Sequence, residues 1–184
     1  MGLPRKSRPP RKLNRDELWD YALHSLGQRA QSSSELRQKL ARRAESPADI
    51  GPTMDRLREY GFADDQAFSE AFASSRLNGR GLGSQRVLRD LAAKRVPKSV
   101  ATEVVARTYA ETSEPDLIDK YLSRKYRGKN LRELFADQKR VAQAFRRLRM
   151  AGFSSAASLA ALRKHASGAV EDWPEPDEDS GDLP

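Results

Sequence analysis

Residues 32–57 read SSSELRQKLARRAESPADIGPTMDRL, and this stretch decides the fold. The Ser32 hydroxyl is placed to accept from the amide three residues on while the Glu35 carboxylate reaches back, a capping box that opens a helix. Leu36 and Leu40 stand one turn apart and face inward, leaving Arg37, Lys39, Arg42 and Arg43 in water. Ser46 then caps a further helix with Pro47 at its first position, and Ile50, Met54 and Leu57 form its buried stripe until Gly61 stops it. Upstream, Leu18, Ala22, Leu23 and Leu26 share one stripe of a helix over about Asp16–Leu26, which Gly27 is suited to end.

The same plan returns about fifty residues later. A shift of 50 lays Pro47 on Pro97, Ile50 on Val100 and Met54 on Val104; a shift of 51 lays Leu36 on Val87 and Leu40 on Leu91. Asp64 caps a helix presenting Phe68, Ala71 and Phe72, and glycines 79, 81 and 83 interrupt it before the helix of Val87, Leu88 and Leu91. A stretched third copy follows. Ser113 and Pro115 start a helix with Leu117, Ile118 and Tyr121; Asn130 and Glu133 cap a long one through Phe145 and Leu148; Gly152 precedes the last, with Leu159 and Leu162. Ala and Leu together number 44 against nine Ile and Val, and no window alternates as a strand does. The expected fold is therefore all-α: three tandem three-helix modules over residues 16–62, 63–112 and 113–167, stacked as an elongated array in which each module needs its neighbours.

With 184 residues, 38% of them apolar and 33% charged, the core is thin and divided among small units. Residues 1–15 carry six bases and no acid, residues 168–184 seven acids and no base, and both tails are expected to be disordered. Trp173 is the one large ring of the acidic tail, expected to be solvated. The body between the tails holds 28 bases against 19 acids, a net +9, which favours a polyanion as partner. No apolar run exceeds four residues and the N-terminus has no secretory pattern, so neither a membrane nor export is expected. Cysteine is absent, as is ordinary in a reducing cytoplasm.

Catalytic groups are sparse. His24 and His165 are the only histidines, far apart in sequence, and are read as ordinary helix residues. Asp64 and Asp65 suit capping better than a two-metal site, which needs carboxylates from several elements. The run Gly79–Ser84 lacks the Gly-Lys-Ser/Thr ending and preceding strand of a nucleotide loop; it is read as a flexible helix connection, with Arg76, Arg80 and Arg86 near enough to grip a phosphate. No catalytic residue, metal site or cofactor is expected.

Arg outnumbers Lys by 24 to 10, and its planar fork suits phosphate or carboxylate. The cations gather as Arg37, Lys39, Arg42 and Arg43; Arg86, Arg89, Lys94 and Arg95; and Arg146, Arg147 and Arg149. Each group precedes the turn into its unit's third helix, and these positions are the expected binding residues. Phe68, Phe72, Tyr121 and Phe145 lie at core spacing and are read as packing.

Three stretches resemble the RecX family of recombination regulators across most of the body, roughly Leu18–Ala166. Ser34, Glu35, Leu36, Arg37, Gln38, Lys39 and Leu40 are similar to the family's S-x-x-E-L-R-x-K-L segment in slightly compressed form. Gly61, Phe62, Ala63, Asp64 and Asp65, with Phe68, Phe72 and Arg76 and then Gly83, Arg86, Val87 and Leu91, match in order. Arg146–Arg149 followed by Gly152, Phe153 and Ser154 resemble the R-R-G-F-S ending. Phe62 and Ala63 replace the usual Tyr-Leu, and Ala44 stands where Gly is common. The resemblance implies a curved array of three modules lying in the groove of a RecA filament on single-stranded DNA. It implies that the array blocks filament growth and suppresses RecA's ATPase, strand-exchange and coprotease activities without chemistry of its own; separately, a cytoplasmic monomer is expected. Double-stranded DNA is a further expected ligand. Small three-helix units also suit a helix-turn-helix transcription regulator, which is the rival expectation; a nuclease and a purely structural scaffold rank behind it.

Overall fold

The computed structural model describes residues 11–166, so the expectations about residues 1–10, 167–184 and Trp173 lie outside the described residues. The fold is all-α. Its order is α1 Arg15–Gln28, α2 Ser33–Arg43, a 3-10 turn Pro47–Asp49, α3 Ile50–Glu59, α4 Asp65–Ser75, a π turn Arg76–Arg80, α5 Ser84–Ala93 and α6 Lys98–Tyr109. It continues with α7 Glu114–Lys125, the single turn α8 Leu131–Leu134, α9 Gln138–Ala151 and α10 Ser155–His165.

Side chains that compete for backbone groups set the boundaries. Ser32 and Glu35 form the expected capping box on α2. Asn14 and Glu17 form a second one on α1. Asp64 takes the Gln66 and Ala67 amides, Ser113 the Asp116 amide, and Ser154 the Ala157 amide. Gly61 (φ 72°) follows α3, and Gly152 (φ 93°) ends α9.

Several boundaries differ from expectation. Gly27 lies inside α1, which runs on to Gln28. Ser46 and Pro47 open the 3-10 turn, and α3 begins only at Ile50. The long helix expected from Asn130 is broken: Asn130 caps only α8, the chain turns at the buried Phe135, and Asp137 caps α9 afresh. Ala71 is exposed and Ala73 takes the buried place on α4.

Residues 11–15, expected to belong to a disordered basic tail, are in place against the first unit. Leu13 is buried in the first core and pairs with the α2–α3 turn, its amide donating to the Arg43 carbonyl (2.8 Å) and its carbonyl accepting from the Glu45 amide (2.8 Å). Burying a leucine is worth roughly 1.5–3 kcal/mol, and it acts together with these two backbone bonds to hold the segment on the first unit.

Among the described residues, most buried apolar side chains fall into three clusters. Leu13, Leu18, Ala22, Leu36, Leu40, Met54 and Leu57 build the first beneath α1–α3. Phe68, Ala73, Val87, Leu91, Val96 and Val104 build the second under α4–α6. The third, under α7–α10, holds Ile118, Leu122, Phe135, Leu148, Phe153 and Leu162. The second and third are joined through apolar side chains: Leu77, Leu82 and Tyr109 pack on the third cluster, and Tyr109 also lies against the second. No described residue is shared between the first cluster and the second in this way. Among the described residues no helix is long and apolar enough to cross a membrane.

Candidate functional site

Six of the thirteen basic side chains singled out in the sequence, Arg76, Arg86, Arg89, Lys94, Arg95 and Arg149, lie at the two joints between clusters. At the first joint, α2 meets the end of α5. The Ser32 hydroxyl donates to the Lys94 carbonyl (2.6 Å), and the Ser33 amide donates to Asp65 Oδ1 (2.8 Å). Lys94 Nζ lies 3.4 Å from Glu35 Oε1 and near the rings of Phe68 and Phe72 (5.8 and 5.7 Å). Arg95 holds a left-handed backbone (φ 58°), which lets α5 end as a glycine would allow, and it donates to the Gln38 amide when that amide is turned to accept. Burial works to raise the Glu35 carboxyl, but the Ser32 amide, Lys94 and Arg29 outweigh it and hold its pKa below the usual value.

At the second joint, α5 meets the C-terminal end of α9. The Gly83 amide donates to the Ala151 carbonyl (2.9 Å), and the Gln85 amide donates to the Gly152 carbonyl (3.3 Å). Arg86 reaches the Met150 carbonyl (3.3 Å), and Arg89 reaches the carbonyls of Arg149 and Met150 (3.4 Å each). Cations are favoured there because the last carbonyls of α9 carry the negative end of the helix dipole. Arg86 also pairs with Asp90 (2.8 Å), which lies 3.8 Å from Arg76; the Arg76 guanidinium sits over the Phe72 ring at 4.6 Å. Arg149 bonds the Phe153 carbonyl (2.6 Å). Arg76, Arg86, Arg89 and Arg149 are therefore brought together from α5, α9 and the π turn.

The glycine run is folded into a turn, with Arg80 exposed on it. Arg76–Arg80 form the π turn, Gly81 is left-handed, and Arg124 donates to the Gly79 carbonyl (3.3 Å) and to the Arg80 carbonyl. The Tyr109 hydroxyl ties down the next residue by donating to the Leu82 carbonyl (2.7 Å); burial pushes its pKa to about 12.

The first cluster's cations divide. Arg37 and Arg42 are exposed on α2. Lys39 and Arg43, expected in water, are half-buried: Lys39 donates to Ser25 Oγ (2.8 Å), while Arg43 bonds the Arg11 carbonyl (3.1 Å) and lies over Tyr21 (4.9 Å). Arg80 and Arg146 are exposed and Arg147 is half-buried. Asp64 and Asp65 act as cap and strut, and no group of acids or histidines among the described residues is arranged to hold a metal ion.

Sequence reasoning missed one surface feature, the cluster of Trp19, Tyr60 and Phe62 with Arg56. The pair Tyr60 and Phe62 flanking Gly61 was its only signal, and that reads equally as packing until α1 brings Trp19 beside it.

Two family models match: the RecX first three-helix domain over residues 19–66 and the RecX second three-helix domain over residues 64–105. Regulatory protein RecX of Chromohalobacter salexigens is 38% identical over 97 residues, covering 53% of this chain and 60% of the relative. That of Halorhodospira halophila is 38% identical over 86 residues, 47% and 53% of the two chains. These alignments thus span little more than half the length of those relatives. The match to regulatory protein RecX of Vibrio vulnificus is longer, 30% identical over 137 residues, 73% of this chain and 84% of the relative. Among solved structures, RecX from Lactobacillus salivarius superposes with TM-score 0.62 at 16% identity, over 82% of this chain and 95% of that one. A second crystal structure of regulatory protein RecX gives 0.63 at 18%, over 81% and 71%.

Proposed function

The chain belongs to the RecX family of regulatory proteins, and from that premise we propose that it binds RecA filaments on single-stranded DNA and restrains their growth. On this reading it lowers RecA's ATPase, strand-exchange and coprotease activities by occupying the filament, with no bond made or broken by its own residues. It works in the cytoplasm as a monomer, in the regulation of DNA repair, recombination and the SOS response.

The observation that carries this reading is the second joint. Arg86 and Arg89 of α5 and Arg149 of α9 converge there from two successive units, with Arg146 exposed on the same helix. A ligand contacting them together is anionic, and a nucleic-acid backbone supplies such charges in an unbroken series. Arg37 and Arg42 on α2 extend the cationic positions to the first unit. Double-stranded DNA offers the same phosphates and is a weaker ligand on this proposal, because the filament supplies protein contacts as well.

The test is RecA's ATPase on single-stranded DNA with and without the purified chain. Suppression that deepens with the chain's concentration is expected. An ATPase rate indifferent to a large excess of folded chain would reject the reading.

A further inference from the structure

The cationic joints leave one prominent surface unused. Trp19 stands one turn into α1, and Tyr60 and Phe62 flank Gly61, whose left-handed backbone (φ 72°) turns the chain sharply after α3. The ring centroids are 5.7 Å apart for Trp19–Tyr60, 6.3 Å for Trp19–Phe62 and 6.4 Å for Tyr60–Phe62, the last pair nearly parallel at 12°. Arg56, one turn before Tyr60, lays its guanidinium 4.0 Å from the Trp19 ring centroid and 5.8 Å from that of Tyr60. Tyr60 is 60% exposed and Phe62 48%.

Tyr60 and Phe62 are exposed beside Trp19, which is half-buried on the first core, and a contiguous apolar patch of this kind is a feature of interaction surfaces. Trp, Tyr and Arg are also the side chains that dominate protein–protein hot spots. Exposed rings beside an arginine equally suit stacking of nucleic-acid bases, so the charge around them decides. A groove of about 480 Å³ runs along Trp19 and Arg56, and its ionisable lining is Asp16, Asp55 and Glu59 against Arg15 and Arg56. Asp55 is paired with Arg58 (2.6 Å), which leaves Asp16 and Glu59 against Arg15 and Arg56. A groove without net positive charge, on a body with net charge +9, is a poorer seat for a phosphodiester than the cationic joints, and its Asp16 and Glu59 suit a lysine or arginine of a protein.

We propose that the Trp19–Tyr60–Phe62–Arg56 patch is a protein-docking site, taking a folded partner's surface in which an apolar anchor meets the rings and a neighbouring basic side chain enters the groove beside Asp16 and Glu59. The proposal rests on the reading above, under which that partner is RecA. It divides the chain's contacts: the first unit's aromatic patch meets protein, and the cations of the second joint meet DNA.

The experiment compares the full chain with Tyr60→Ser/Phe62→Ser and with Glu59→Lys. The double change touches only exposed rings and leaves the adjacent buried Leu57 and Ala63 in place; a melting curve verifies the fold. Binding is measured to free RecA, to RecA on single-stranded DNA, and to a labelled single strand alone. At least a tenfold loss toward RecA in both forms is expected for the double variant, with affinity for the bare strand within twofold. Glu59→Lys, which needs no change in any ring, is expected to weaken RecA binding and to strengthen strand binding slightly. Unchanged RecA binding in both variants overturns the docking site while leaving the regulatory reading intact. A tenfold loss on the bare strand also overturns it and identifies a base-stacking platform. A parent chain that binds no form of RecA overturns both readings together.

Discussion

Gly83 and Gly152 meet backbone against backbone at the joint of the second and third cores. A Cβ built on Gly83 would stand 2.7 Å from the Phe153 amide nitrogen and closer still to the Gly152 carbonyl, while one on Gly152 would fall 2.8 Å from Arg86 Cα and closer to its amide. Neither neighbour is the free end of a flexible side chain, so neither can swing away. The approach brings the Gly83 amide onto the Ala151 carbonyl and sets Arg86 and Arg89 over the end of α9.

Gly152→Ala is therefore expected to lower stability by about 2–4 kcal/mol, combining overpacking of a close contact with the cost of a left-handed backbone. Gly83→Ala, whose φ is ordinary, should cost about 1–3 kcal/mol from packing alone. Urea unfolding followed by circular dichroism measures both. Gly27→Ala, at an open helical position, is the control and should be neutral or slightly stabilising.

Charge reversal at the exposed positions Arg37, Arg42, Arg80 and Arg146 is expected to weaken single-strand binding strongly without loss of helix content. The slope of log affinity against log salt should shrink by about 0.7 for each phosphate contact removed. Fluorescence anisotropy across a salt series reads both quantities. A slope unmoved by all four changes would show that these side chains do not meet phosphate.

Glu35 makes the first joint sensitive to acid. Its carboxyl pKa is held below the usual value in the folded chain, so its contribution is present at neutral pH and is lost as pH falls through the range below about 4.5. Glu35→Gln should cost on the order of 1 kcal/mol at pH 7 and less as pH drops below 4. Hydrogen exchange at α2 and at the end of α5 is the sensitive measurement, because the Ser32–Lys94 and Ser33–Asp65 bonds share the joint.

Tyr109 acts in the opposite direction. A phenol raised to about 12 stabilises the fold fully below pH 10 and loses that effect as pH climbs through 12. An ultraviolet titration should show a late-titrating phenol that is lost in Tyr109→Phe. The same change removes the hydrogen bond to the Leu82 carbonyl and should cost about 1 kcal/mol, with α6 and the Gly81–Gly83 segment loosening first.

The sequence alone determined the helical character, most helix starts and the buried stripes. Those depend on local chemistry: a Ser or Asp that outcompetes water for an amide, a left-handed position after a helix, and leucines three or four residues apart. Ser32 with Glu35, Asp64, Ser113, Leu36 with Leu40, and Met54 with Leu57 all behave as their spacing dictates. The same local rules failed where a distant group intervened. Leu13 pairs with the turn after α2, Phe135 is drawn into the third core and breaks the long helix, and Gly83 is needed for contact with Gly152 rather than for flexibility.

The basic residues show the division most clearly. Their clustering is plain along the chain, but whether a cation reaches water depends on what lies across the joint. Arg37 and Arg42 stay exposed, Lys39 turns onto Ser25, and Arg86 and Arg89 find the carbonyl end of α9 more than sixty residues away. Trp19 joined Tyr60 and Phe62 for the same reason. Helix formation and capping are decided within a few residues, whereas exposure and pairing are set by which helix ends the packing of separate cores brings into contact, and only the folded chain fixes that.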